Sequence, residues 1–173
     1  SEPGMWECPD LLELEVKNVP GEKRWVFWSA DGYYMTGEFD GYKFKPDGCR
    51  KSAYSSVLPY AAQTFSGVDD RVISMAWLRM KNDRGNYRGL MSLPTELSLE
   101  KEGNDYKICF APAKELENLE AGWYDSLKST ISPEGQACKI VLTPEAGTKG
   151  EWRLTIGSLR LTADFYSNIL SIE

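Results

Sequence analysis

An Asp-Gly turn between two aromatic runs constrains this chain most. Residues 24–29 (RWVFWS) and 33–39 (YYMTGEF) flank Ala30-Asp31-Gly32, and Asp40-Gly41 marks another turn before Tyr42-Lys43-Phe44. Asp-Gly supplies the left-handed backbone of a tight hairpin, and aromatic and β-branched side chains suit a pleated, half-buried surface. The segment is therefore expected to be a β-hairpin. Trp25 and Trp28 are three apart, so they point to opposite faces of one strand, and at least one belongs to the core.

Strand signals continue along the chain. Residues 71–78 (RVISMAWL) form a continuous apolar run of strand length. Leu159, Leu161, Ala163 and Phe165 alternate with Arg160, Thr162 and Asp164, the period of a half-buried strand. The one helical signal is residues 113–120 (AKELENLE), long enough for two turns and too short to stand without packing. Its Glu115, Glu117 and Glu120 read as a solvated face. Clusters of Gly, Pro, Asn and Asp at intervals of about 8–12 residues complete an all-β pattern of propeller, sandwich or barrel type. A change of texture near Pro94 divides the chain into residues 1–93, rich in aromatic strands, and residues 94–173, a Leu- and Thr-bearing β region.

The residue inventory narrows the chemistry. The 173 residues include no histidine, which excludes Ser-His-Asp and Cys-His catalysis within the chain and leaves proton transfer to carboxylates, Lys, Tyr or Cys. The net charge of −6 and the lack of a basic block argue against nucleic acid or an anionic membrane as partner, and no run reaches the roughly 18 apolar residues of a membrane span. Cys8, Cys49, Cys109 and Cys138 are irregularly spaced, without C-x-x-C, and read as free thiols with no metal or other cofactor implied. The densest chemical constellation is Trp6-Glu7-Cys8-Pro9-Asp10. Pro9 is expected to hold Cys8 extended, and a partly desolvated Glu7 would have its proton affinity raised, as a general acid requires; a surface glutamate at a strand start is the plain alternative.

Trp6-Glu7-Cys8-Pro9-Asp10 resembles the EC motif of glycoside hydrolase family 32, the invertases, levanases and inulinases. Residues 33–44 (YYMTGEFDGYKF) resemble that family's tyrosine-rich hairpin, and residues 60–65 (YAAQTF) its Y-A-A-Q segment. The strand ending near Trp77 has a counterpart there too. Residues 87–99 (YRGLMSLPTELSL) resemble its W-R-G-x-M-S-L-P-R-E-L-x-L stretch, and residues 112–119 its P-x-x-E-L-x-x-L link. The matches occur in family order. The resemblance implies the last blades of a five-bladed β-propeller over residues 1–93, followed by a linker and part of a β-sandwich over residues 94–173. It also implies retaining hydrolysis of β-fructofuranosidic bonds in sucrose or fructans, with Glu7 as acid/base and a fructose-containing oligo- or polysaccharide as partner. Trp6, Tyr60 and Trp77 become the candidate sugar contacts. Core packing is the other reading of Tyr60 and Trp77.

The chain departs from that pattern in places. The family's nucleophile motif W-M-N-D-P-N-G and its R-D-P motif are not found, so the resemblance is to the carboxy-terminal part of such an enzyme. Leu58 stands where the family usually has an aspartate, and Thr95 where it has an arginine. A truncated hydrolase relative and a non-catalytic fructan-binding module are both consistent with these letters. A partial propeller is further expected to self-associate through its open blade edges.

Overall fold

Asp-Gly turns and alternating apolar positions produce a run of antiparallel hairpins. The computed structural model describes residues 7–81, 85–120, 139–141, 143, 145 and 147–172. The chain divides into two compact units, residues 1–121 and 122–173.

In the first unit, β1 (Asp10–Glu15), β2 (Lys23–Trp28), β3 (Tyr33–Phe39) and β4 (Phe44–Pro46) form one sheet in that order, with β5 (Lys51–Ser52) also on β3. The hairpin expected around Gly32 is β2–β3, with Trp28 opposite Tyr34. Gly32 has φ +77°, and a Cβ there would meet the Tyr54 ring at 2.5 Å, so the turn requires glycine on both counts. The second sheet runs β10-β9-β7-β6, from β6 (Pro59–Thr64), β7 (Val72–Leu78), β9 (Thr95–Glu102) and β10 (Asp105–Pro112), with β8 (Leu90–Met91) also on β7. The textural change at residue 94 falls inside this sheet, because β9 and β10 continue it beyond β7.

One core lies between the two sheets. On β1, Leu12 and Leu14 are buried while Glu13 and Glu15 face water, and Val16 continues the buried row. Val26, Trp28 and Tyr34 join them from the first sheet, and Ala62, Ala76, Leu97, Leu99 and Tyr106 from the second. Trp28 is 2% exposed, whereas Trp25 lies on the other face edge-to-face with Phe39, which bears out the opposed placement of the two indoles. A parallel bridge from Val16 to Leu99 joins the sheets, and the Asn18 side chain extends it by exchanging two hydrogen bonds of 2.9 Å with the Lys101 backbone.

The expected two-turn helix is instead a short 3₁₀ segment, Lys114–Leu119, with no side-chain cap and no buried residue. Without an apolar face to pack, propensity alone does not sustain an α-helix of this length. Arg71 holds the segment, its guanidinium donating to both carboxylate oxygens of Glu115. That hydrogen bond is the main cause that lowers the Glu115 carboxyl from 4.5 to about 2. A depressed folded-state value contributes stability above the ordinary carboxylate range and loses it as pH falls toward about 2. Glu115→Gln is therefore expected to lower the melting temperature near neutral pH, and the gap to wild type should close below about pH 2, read from parallel thermal melts. A gap that persists in acid would remove the carboxylate from the explanation.

In the second unit, β11 (Glu151–Ile156), β12 (Leu159–Asp164) and β13 (Ile169–Ile172) form an antiparallel sheet. The expected strand at 159–165 is present, but without a buried face: Leu159 is exposed, and Thr162 and Asp164 are as covered as Leu161 and Ala163. Among this unit's described residues no second layer covers the sheet, so alternation in sequence does not become alternation in burial.

Candidate active site

The pairing of β6 with β7 sets Tyr60 directly opposite Trp77, and their rings meet edge-to-face at 6.4 Å. The Tyr60 hydroxyl donates a 2.6 Å hydrogen bond to Glu7 Oε2. Three of the four residues singled out from sequence thus stand together; the fourth, Trp6, lies outside the described residues. Trp77 is 37% exposed and so presents its ring outward instead of filling a core.

The backbone around the pair is unusual. Cys8 and Ala61, the residues immediately after Glu7 and Tyr60, have φ of +44° and +49°. Such non-glycine conformations cost about 1–3 kcal/mol each and persist where surrounding bonds enforce them. The Ala30 peptide supplies those bonds: its N–H donates to the Glu7 carbonyl at 3.0 Å, and its carbonyl accepts from the Ala61 N–H at 2.8 Å. The Gln63 amide donates to the carbonyls of Cys8 and Ala62, across a register shift in β6 between Tyr60 and Gln63. Asp10 accepts from the Thr64 backbone N–H and hydroxyl, tying β1 to β6. The extended Cys8 expected before Pro9 is therefore overturned, because tertiary hydrogen bonds outweigh the pre-proline preference.

Glu7 is exposed, as in the plain reading of a surface glutamate and not the partly desolvated one, and a directed hydrogen bond orients it. That bond is the largest influence raising the Tyr60 phenol above its usual range, followed by burial and the Glu7 charge. Arg79 acts the other way, with its guanidinium carbon 4.5 Å from the centre of the Tyr60 ring. The sequence signal for Arg79 is its spacing: it lies two residues beyond Trp77 and hence on the same side of an extended strand. The Ala30 clamp left no side-chain signal to find.

Gly89 fixes the indole. Trp77 Nε1 donates to the Arg88 carbonyl at 3.1 Å, and a Cβ on Gly89, whose φ is +74°, would lie 2.2 Å from that nitrogen and 2.3 Å from the Leu78 carbonyl oxygen. Gly89→Ala is expected to cost more than about 1 kcal/mol in denaturant unfolding and to shift the Trp77 indole N–H resonance. An unmoved resonance would show that the indole is placed by other means.

Among the described residues no group of three or more Cys, Asp or Glu is arranged to hold a metal ion, and Cys8, Cys49 and Cys109 are free thiols. Carboxylate, phenol, indole and guanidinium at a sheet end make a site suited to moving a proton beside a polar, ring-shaped ligand.

The profile described as "Glycosyl hydrolases family 32 N-terminal domain" matches residues 1–112. The chain belongs to glycosyl hydrolase family 32. It is 30% identical to a levanase of Bacillus subtilis over 90% of this chain and 26% of the relative, and 31% identical to a sucrose-6-phosphate hydrolase of Zymomonas mobilis over 66% and 24%. In fold it is similar to an exo-inulinase from Aspergillus awamori, with TM-score 0.53 and 22% identity over 62% of this chain and 26% of that one. The chain spans about a quarter of the length of these curated relatives.

Proposed function

We propose that this chain is the acid/base-bearing part of a retaining β-fructofuranosidase acting on sucrose or fructans. The observation that carries the reading is the 2.6 Å contact between the Tyr60 hydroxyl and Glu7, beside an outward-facing Trp77, in a chain of this family. The two five-stranded sheets are read as the last blades of a five-bladed propeller, and residues 122–173 as part of a β-sandwich.

In this reading Glu7, protonated, gives its proton to the glycosidic oxygen as the bond to the fructosyl carbon breaks. A carboxylate nucleophile, supplied by a stretch of polypeptide outside these 173 residues, closes on that carbon through an oxocarbenium-like transition state and forms an ester. Glu7, now a carboxylate, takes a proton from water as the water attacks the ester, and fructose leaves with retained configuration. Tyr60 fixes which carboxyl oxygen faces the substrate, and the Trp77 ring offers a flat face to the sugar.

The test is hydrolysis of sucrose, inulin and levan by this chain alone and with a supplied polypeptide carrying the W-M-N-D-P-N-G and R-D-P stretches. Turnover is expected only in the second case. Fructan binding without turnover in both cases would favour a non-catalytic carbohydrate-binding module instead.

A further inference from the structure

We propose that Arg79 is a positioning residue of this site: held over the face of the Tyr60 ring, its guanidinium strengthens the hydrogen bond that the Tyr60 hydroxyl gives to Glu7. The inference rests on the fructosidase reading only for its consequence in turnover; the interaction itself is a property of this chain.

Arg79 is held from two sides. Its backbone N–H donates to the Leu58 carbonyl at 2.9 Å, continuing the β6–β7 ladder by one residue. Its guanidinium Nη2 donates to the Val57 carbonyl. The planar group is thereby kept 4.5 Å from the ring centre of Tyr60, while Trp77 meets the edge-to-face side of the same ring. A cation near the face of a phenol stabilises the phenolate more than the phenol. The O–H becomes a stronger acid and a stronger donor, and a donor bonded to a carboxylate gains most from that change because the acceptor is charged. Glu7 and Cys8 face Tyr60 from the amino-terminal segment and Arg79 faces it from the end of β7; Trp77 is uncharged. Arg79 opposes the upward push of Glu7 on the phenol.

The consequence for turnover concerns the two halves of the reaction. A stronger bond from Tyr60 holds the Glu7 carboxylate in the orientation from which it accepts a proton from water in the second half. Arg79 would therefore act on that half without touching the sugar.

The test uses the whole chain labelled with 3-fluorotyrosine, whose phenol titrates in a mildly alkaline range, followed by fluorine NMR. Relative to wild type, Arg79→Met is expected to raise the Tyr60 midpoint by about half a pH unit, about threefold in proton affinity, with the other tyrosines unmoved. Arg79→Gln, which keeps an amide to reach Val57, should behave like Arg79→Met, and Arg79→Lys should return most of the shift. An unchanged Tyr60 midpoint in both neutral variants would overturn the proposal, as would an equal shift in Arg79→Lys. In the reconstituted hydrolase kcat should fall in Arg79→Met and return in Arg79→Lys, with KM unmoved. If wild type shows no hydrolysis on reconstitution, the fructosidase reading fails while the Tyr60 titration still decides the role of Arg79.

Discussion

Glu7→Gln is expected to lower hydrolysis of sucrose or fructan by about 10²–10⁴-fold in the chain reconstituted with its nucleophile-bearing partner stretch, the usual worth of a general acid–base. The amide keeps the shape and still accepts from Tyr60, so the loss reads the missing proton and not a collapsed site. Because Glu7 is exposed, the melting temperature should barely change. The leaving group sharpens the result. A fructoside with a nitrophenol leaving group needs no proton to depart, so its bond-breaking step should survive the substitution far better than that of sucrose. The kcat/KM values of the two substrates, which report bond breaking and not the later hydrolysis of the ester, separate the outcomes: unequal loss assigns the proton to Glu7, and equal loss on both makes Glu7 a binding or structural residue.

The second large effect is on stability. Leu99 is fully buried, its carbonyl accepts the Lys17 N–H at 2.8 Å, and it pairs with Val16 where the two sheets of the first unit meet. Leu99→Ala removes apolar contacts to both sheets at once and leaves a cavity that neither pleated wall readily closes. A loss of about 2–5 kcal/mol is expected in denaturant unfolding. Leu93→Ala, at a position 66% exposed, serves as control and should stay within about 0.5 kcal/mol. Similar small losses at both positions would mean that the core between the sheets does not hold the unit together.

The hairpin through Gly32 and the strand carrying Trp77 were legible in sequence because turn chemistry and apolar runs are local signals. Glu7, Tyr60 and Trp77 are candidates for one site through the family motifs alone, and not through any local signal or periodicity. What was not legible is set by partners distant in sequence. The left-handed backbone at Cys8 and Ala61 depends on the Ala30 peptide, which carries no chemical flag, and no local rule forecasts the register shift between Tyr60 and Gln63. Residues 113–120 read as helical because Leu116 and Leu119 have helical spacing, yet neither is buried, so the segment tightens to 3₁₀ over Lys114–Leu119 and is held by Arg71. The alternation at 159–165 is a true strand signal that says nothing about whether a second layer covers it.

A fructoside is expected to meet this chain at the Glu7–Tyr60–Trp77 cluster. The most direct measurement is an NMR titration of the chain with a short fructan, following the Trp77 indole N–H and the Tyr60 ring carbons. Both signals are expected to move together and saturate, with a dissociation constant on the order of millimolar for a partial site, and Glu7→Gln is expected to perturb the same two signals. Saturable shifts confined to residues elsewhere, with Trp77 and Tyr60 unmoved, would contradict it.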